Sequence, residues 1–283
     1  METLATEIWQ TFGHGNVKSI LNKQLEANRF PHAYLFAGPG GIGKKTLALE
    51  FAQKVLATRV LTTHPDFAIL DEPGEIIMET ILDFISRLSF KPFLAKYKIA
   101  IINNAQNLNV KSSNALLKTL EEASPSSIII LLADTSRLLP TIVSRCQVLN
   151  FSPFSKNQLD EFAKSASLKV SESVQDLSFG SPARLKRLSQ DKDFFISEEK
   201  IVENYKNFLK MRLGEKLMSI RDLAEMETED LAASITTWLC WQIFHLNENP
   251  QAFTKVRALS DSLESLHQNQ NKKLVLQGLL LKI

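Results

Sequence analysis

The segment Gly38-Pro39-Gly40-Gly41-Ile42-Gly43-Lys44-Lys45-Thr46 carries the plainest chemical signal in the chain. Gly38, four intervening residues, Gly43 and Lys44 reproduce the phosphate-loop pattern up to its last position. Glycines let the backbone curl so that several N–H groups face inward. The helix that follows adds its positive end, and Lys44 is placed to meet the outer phosphates of a nucleotide. Gly38, Gly41, Gly43, Lys44, Lys45 and Thr46 are therefore the candidate nucleotide-binding residues here. The pattern then breaks. Where a Ser or Thr hydroxyl would hold magnesium, this chain has Lys45. An ammonium has no lone pair for a metal. Thr46 comes one position late, about 100° further round the helix.

A second departure points the same way. In an active site of this kind the third strand ends in acids, one for the metal and one for the attacking water. Here Ile99–Ile102 is followed by Asn103-Asn104-Ala105-Gln106. An amide neither holds magnesium by charge nor activates water. The residues argue against ATP hydrolysis and leave nucleotide binding open, with room for ATP or ADP in the loop and no cofactor required.

These residues need a scaffold. Five short apolar runs, Ala33–Ala37, Phe67–Leu70, Ile99–Ile102, Ile128–Leu132 and Gln147–Phe151, read as strands, four of them continuous as in strands covered on both faces. Helical spacing over Thr46–Leu56, Ile76–Leu88 and Val110–Ala123 alternates with them. That order predicts a five-stranded parallel sheet with helices on both faces. After Phe151 only helical periodicity is found, interrupted at Phe179-Gly180-Ser181-Pro182 and at the polar stretch Ser189–Asp193. Thr228-Glu229-Asp230 reads as a helix start, Pro250 as a break, and Val275–Ile283 as a closing helix. The expected domains are an α/β domain over 1–152, a small helical domain over 153–195 and a larger helical domain over 196–283.

Composition narrows the class further. The chain has 283 residues, 44% apolar and 23% charged, with 33 basic against 31 acidic side chains. A net charge of +2 excludes nucleic-acid binding by bulk charge alone. Two cysteines, Cys146 and Cys240, exclude a disulfide framework. No run approaches the roughly 18 apolar residues of a membrane span, and METLATEIWQTF lacks the basic start of a signal peptide. A cytoplasmic protein is expected. The 17 phenylalanines fall mainly at core spacing. Trp238, Leu239, Trp241 and Phe244 make an unusually apolar helix, either buried or a face for a partner. Lys44, Lys45, Lys54 and Arg59 look like a basic stripe, though spacing alone does not indicate DNA contact.

Two further blocks carry a resemblance: Ser112-Ser113-Asn114-Ala115-Leu116-Leu117-Lys118-Thr119-Leu120-Glu121-Glu122, and Leu138 to Gln147 with its triplet Ser144-Arg145-Cys146. They resemble clamp-loader subunits of the AAA+ ATPase class. The altered phosphate loop, the Asn103-Asn104 pair, His32-Ala33-Tyr34-Leu35-Phe36 and His64-Pro65-Asp66-Phe67 narrow the likeness to the delta prime family of bacterial DNA polymerase III, from about Gly13 to Leu188. The resemblance implies an AAA+ module, a small helical lid and an all-α C-terminal collar. It implies a subunit that is not an enzyme on its own, within a DNA-directed DNA polymerase assembly that loads a sliding clamp on primed DNA. Implied partners are motor subunits, a delta-like subunit, and, through the assembly, the clamp and primer-template DNA; no membrane is involved.

For Arg145 the resemblance implies an arginine finger that reaches a neighbour's nucleotide; the residues alone allow a helix-end arginine paired with an acid. Ser144 and Cys146 are read as structural. Arg184 sits where the family senses nucleotide a second time, or else only packs domains together. Asp134 and Thr135 lie near the family's first sensor and receive no role. His14 lies in a segment resembling the adenine-side pocket, or in a surface turn. Many relatives carry a four-cysteine zinc module where this chain has Ala57–Thr63 without cysteine, so no zinc is expected. Two other readings are an active ATPase of the same fold, opposed by Lys45, Asn103 and Asn104, and a small-molecule P-loop kinase, which has no use for the trailing helices.

Overall fold

The computed structural model describes residues 9–88, 90–122, 124–134, 138–245, 252–268 and 270–283; Thr135 and Pro250 lie outside them. The chain divides into two compact units, 1–158 and 159–283.

In the first unit, β1 (Ala33–Ala37), β2 (Phe67–Leu70), β3 (Lys98–Ile102), β4 (Ser127–Ala133) and β5 (Gln147–Asn150) form a parallel sheet in the order β2-β3-β4-β1-β5. Every residue of β1, β3 and β4 is buried, as expected of inner strands covered on both faces. The edge strands β2 and β5 are only partly covered. Helix α1 (Gly15–Ala27) precedes β1, and α2 (Lys44–Val55), α3 (Met78–Ser86), α4 (Val110–Glu121) and α5 (Pro140–Val143) connect the strands. Ile81 and Phe84 of α3 and Leu116 and Leu120 of α4 bury into one core with alternate residues of β1, β3 and β4. Register matters for function: Leu70 pairs with Ile102, and Ala37 with Ala133. The carboxyl ends of β1 to β4 thus open toward one edge, where parallel α/β sheets place their sites.

The segment His64-Pro65-Asp66 enters β2 and is structural. Asp66 is fully buried. Its carboxylate accepts the backbone N–H groups of Phe93 at 2.6 Å, Leu94 at 2.7 Å and Ala95 at 2.8 Å, while His64 Nδ1 accepts the Asp66 N–H at 3.1 Å. One carboxylate thereby fixes the loop that leads into β3. Burial alone would raise the Asp66 pKa, but the three N–H donors outweigh it and hold the carboxyl below its ordinary range.

The second unit is helical, with α6 (Lys156–Ser165) straddling its start, then α7 (Glu172–Leu177), α8 (Pro182–Gln190), α9 (Lys192–Lys210), α10 (Leu213–Glu225), α11 (Thr228–Phe244), α12 (Ala252–His267) and α13 (Lys272–Leu280). The polar stretch expected as a break at Ser189–Asp193 shrinks to Asp191, whose side chain accepts the Phe194 N–H at 2.9 Å and caps α9. The apolar helix α11 is mainly core. Trp238 is buried, stacks on Tyr205 at 5.0 Å between ring centres, and donates its indole N–H to the Ile201 carbonyl at 3.1 Å. Leu239 and Trp241 pack against the same cluster. No described helix is long and apolar enough to cross a membrane.

Asp66→Ala strands three N–H groups that the native fold satisfies. Denaturant unfolding should show a loss of about 3 kcal/mol; a loss below about 1 kcal/mol would mean that water takes the carboxylate's place. The Asp66 contribution should be intact at neutral pH and fade as acid takes the solution below 3.8, the ordinary value of the group.

Candidate functional site

The phosphate loop follows β1 and ends at α2. Gly38 has φ +153°, and a Cβ there would lie 2.2 Å from the Phe151 carbonyl oxygen, so no larger residue fits. Gly43, at φ +97°, makes the turn into α2 in a conformation that favours glycine. The Gly38 N–H bonds the Ala133 carbonyl at 3.1 Å and ties the loop to the end of β4. The sequence motif is thus present as a formed strand–loop–helix.

Two lysines follow, with different partners. Lys44 is half-buried and folds back, its ammonium donating to the carbonyls of Gly38 and Pro39. Burial pushes its pKa down to about 8, partly opposed by the Asp134 carboxylate. Lys45 is exposed and forms an ion pair with Asp71. The other oxygen of Asp71 accepts the Asn103 side-chain amide at 2.6 Å. These two hydrogen bonds, that of Lys45 first, hold the Asp71 carboxyl below its ordinary range against the opposing effect of burial. Asn104 adopts φ +52° and donates weakly to the Glu72 carbonyl at 3.4 Å. Thr46 is exposed on the next position of α2.

Asp71 was not among the sequence candidates. Its signal was an acid directly after the strand run Phe67–Leu70, which has meaning only once β2 is known to lie beside β3. The two strands then deliver Asp71 and Asn103 side by side, each one residue past the pair Leu70 and Ile102.

These residues do not fit magnesium. The ion demands near-octahedral oxygen ligands, usually with one or two carboxylates. The Asp71 carboxylate is already shared between an ammonium and an amide N–H, and the side chain delivered beside it by β3 is a neutral amide. Among the described residues, no group of three or more His, Cys, Asp or Glu side chains is arranged to hold a metal.

His14 packs onto the same loop. Its Nε2 lies 2.6 Å from the Ile42 carbonyl oxygen, and its ring sits 4.7 Å from Phe151 and 4.8 Å from Phe154. Burial pushes its pKa down; the Ile42 contact opposes this, and the charges of Lys18 and Lys44 add to the lowering. Lys54 of the apparent basic stripe is buried, with its ammonium 4.9 Å from the centre of the Trp9 ring.

Arg145 stands in a separate cluster, just beyond α5. Its guanidinium donates to the Thr141 carbonyl at 2.9 Å and pairs with Glu121, the last residue of α4. The side chain keeps 36% of its surface exposed, so this exposed pair contributes little stability. Ser144 donates back to the Thr141 carbonyl at 3.0 Å. Cys146 is half-buried against the core, and burial pushes its thiol up to about 12, an inert group.

In the second unit, Arg184 donates to the Leu177 carbonyl at 2.7 Å, pairs with Glu198, and lies 4.7 Å from the Phe179 ring. Thr237 donates to the same Glu198 carboxylate at 3.1 Å. The structure thus joins Lys44, Lys45, Asp71, Asn103 and the loop glycines at one site, and it ties Arg184 of α8 to the Leu177 carbonyl of α7 and to Glu198 of α9.

Compared with known proteins, residues 13–155 match the family model described as "DNA polymerase III, delta subunit". The chain is 32% identical over 208 residues to DNA polymerase III subunit delta' of Pseudomonas aeruginosa, covering 65% of this chain and 63% of that protein. It is 27% identical over 225 residues to subunit delta' of Bacillus subtilis, covering 73% and 68%, and 32% identical over 156 residues to the tau subunit of the same organism, covering 49% and 28%. The chain therefore spans less than two thirds of the Pseudomonas relative and of tau. The crystal structure of a gamma-subunit-related protein from Thermotoga maritima aligns over 94% of this chain and 97% of its own, at 19% identity and a TM-score of 0.49.

A lysine-resolved NMR titration should find Lys44 losing its proton near pH 8 while exposed lysines titrate near their ordinary value of about 10.4. An anion in the loop favours the charged form. It should move the Lys44 midpoint upward, and anion affinity should fall as the pH rises past 8. A midpoint that stays above 10 without ligand would show that the burial of Lys44 is not retained in solution.

Proposed function

We propose a role that proceeds from one premise: this chain belongs to the DNA polymerase III delta prime family of clamp-loader subunits. Its first unit is then the five-stranded AAA+ core, and the chain is a clamp-loader subunit in DNA replication. The role we propose is that of a non-catalytic member of the ring. It scaffolds the assembly and presents Arg145 in trans to the nucleotide of an adjacent motor subunit, where the guanidinium stabilises charge on the transferring phosphoryl group. Its partners are motor subunits of the tau and gamma kind and a delta-like subunit. Through them it serves the sliding clamp and primer-template DNA. We assign 153–195 to a lid and 196–283 to a collar that holds the ring, and place the protein in the cytoplasm.

The observation that carries this reading is the state of the chain's own loop. Lys45 holds Asp71 where hydrolysis would need a metal-binding hydroxyl and a free carboxylate, and Asn103 and Asn104 supply no base. A P-loop fold without hydrolytic groups keeps its shape for assembly. Arg145 lies outside that loop, and its pairing with Glu121 is exposed enough to be exchanged for a phosphate.

Arg145→Ala should leave folding and ring assembly intact. The site it serves should lose about 10³-fold or more in hydrolysis, read as a fall in the DNA-stimulated ATP turnover of the reconstituted ring. Turnover at the wild-type rate would remove the finger assignment. The isolated chain should show no magnesium-dependent ATP turnover, and Lys45→Thr alone should not create any, because both acids of the third strand are still missing. Robust hydrolysis by the isolated wild-type chain would favour an active AAA+ ATPase instead.

A further inference from the structure

The altered loop still has the shape and charge to hold an anion. Its glycines have the conformations the turn requires, α2 begins at its end, and Lys44 and Lys45 stand on the first positions of that helix. What differs from an active loop is the residue beyond the lysine, an ammonium in place of a neutral hydroxyl. At that position an active site adds magnesium, which bridges the phosphates to a hydroxyl and an acid. Here the Lys45 ammonium reaches the Asp71 carboxylate, and the Asn103 amide closes its second oxygen. The cation is covalently part of the chain. A metal–nucleotide complex entering this loop would bring a divalent ion toward that ammonium, and the Asp71 carboxylate beside it is already taken by Lys45 and Asn103. A metal-free polyphosphate would meet two ammonium groups and the helix end.

We propose that Lys45 takes the place of magnesium, so that the loop binds a nucleoside polyphosphate in its metal-free form and magnesium opposes that binding. The inference rests on the preceding reading of the loop as non-hydrolytic and adds a ligand class to it. Lys44 exchanges the Gly38 and Pro39 carbonyls for phosphate oxygens. Lys45 stays between Asp71 and the phosphates, a cation shared by two anions as magnesium would be.

The test measures the affinity of the full chain for ADP by calorimetry, once in excess EDTA and once with magnesium at a level that converts all of the nucleotide to its metal complex. Binding should be about tenfold or more tighter in EDTA, the order expected for removing a divalent charge from beside an ammonium. Lys45→Thr should weaken binding in EDTA and abolish or reverse the preference against magnesium. Asp71→Asn keeps the shape of the cluster and releases the ammonium to the phosphates; it should tighten binding in EDTA by about two- to fivefold, the size of an exposed ion pair. Inorganic pyrophosphate serves as a second probe: weaker binding than ADP assigns the site to a nucleotide, and equal binding removes the nucleoside part of the assignment. Tighter ADP binding with magnesium, equal binding in both conditions, or no binding in EDTA would each overturn the proposal. None of these outcomes touches the Arg145 test, which is read from the ring's turnover and fails or stands separately.

Discussion

Lys45 and Asp71 form an exposed ion pair at the ends of α2 and β2, and such a pair stabilises a fold by less than about 1 kcal/mol. Its consequence is chemical. It occupies, with a fixed single positive charge, the place from which an active phosphate loop directs a divalent ion. The parallel pairing of β2 with β3 brings Asp71 to Asn103, and α2 brings Lys45 to both. Strand register, helix start and charge therefore converge on one carboxylate. The loop glycines keep the cradle formed, so the backbone geometry of a phosphate loop is retained while the charged groups around it differ.

The same economy of charge recurs elsewhere, at different depths and with different worth. Asp66 is fully buried and has three N–H donors; desolvation makes those bonds obligatory, and the loop before β3 depends on them. Arg184 and Glu198 are mostly buried; Arg184 also donates to the Leu177 carbonyl, and Glu198 also accepts from Thr237. Breaking that pair would leave a charge without compensation, so its weight is structural within the second unit. Arg145 and Glu121 are more exposed. The trans role proposed for Arg145 requires an arginine separable from its own chain at small cost, and an exposed pair meets that requirement.

Much of the fold was legible from pattern. The short apolar runs located all five strands to within a residue at each end: inner strands are apolar on both faces, and the runs are too short for helices. Differences arose where one local bond decided a boundary. The helix expected over Ile76–Leu88 begins at Met78, because the Ile76 N–H bonds the Asn107 carbonyl at 2.9 Å and holds that residue extended beside Leu108. The break expected across Ser189–Asp193 narrows to Asp191 because one aspartate both ends α8 and caps α9.

What the sequence determined by itself was which functional groups the loop and the third strand lack. Lys45, Asn103 and Asn104 are absences of a hydroxyl and two acids, and an absence of functional groups is complete in the one-dimensional chain. It also determined the cradle, since glycine spacing dictates where the backbone can curl. Tertiary structure alone decided what fills the gap. Asp71 is 26 residues from Lys45 and 32 from Asn103, and its one local sign, an acid after an apolar run, says nothing of its partners; only sheet order and register make the three neighbours. The same holds for Glu121 beside Arg145 and Glu198 beside Arg184, where pairing depends on which helix ends approach. Residue type fixes what a group can do, but charge acts through distance, and distance between remote residues is set only when the chain has packed.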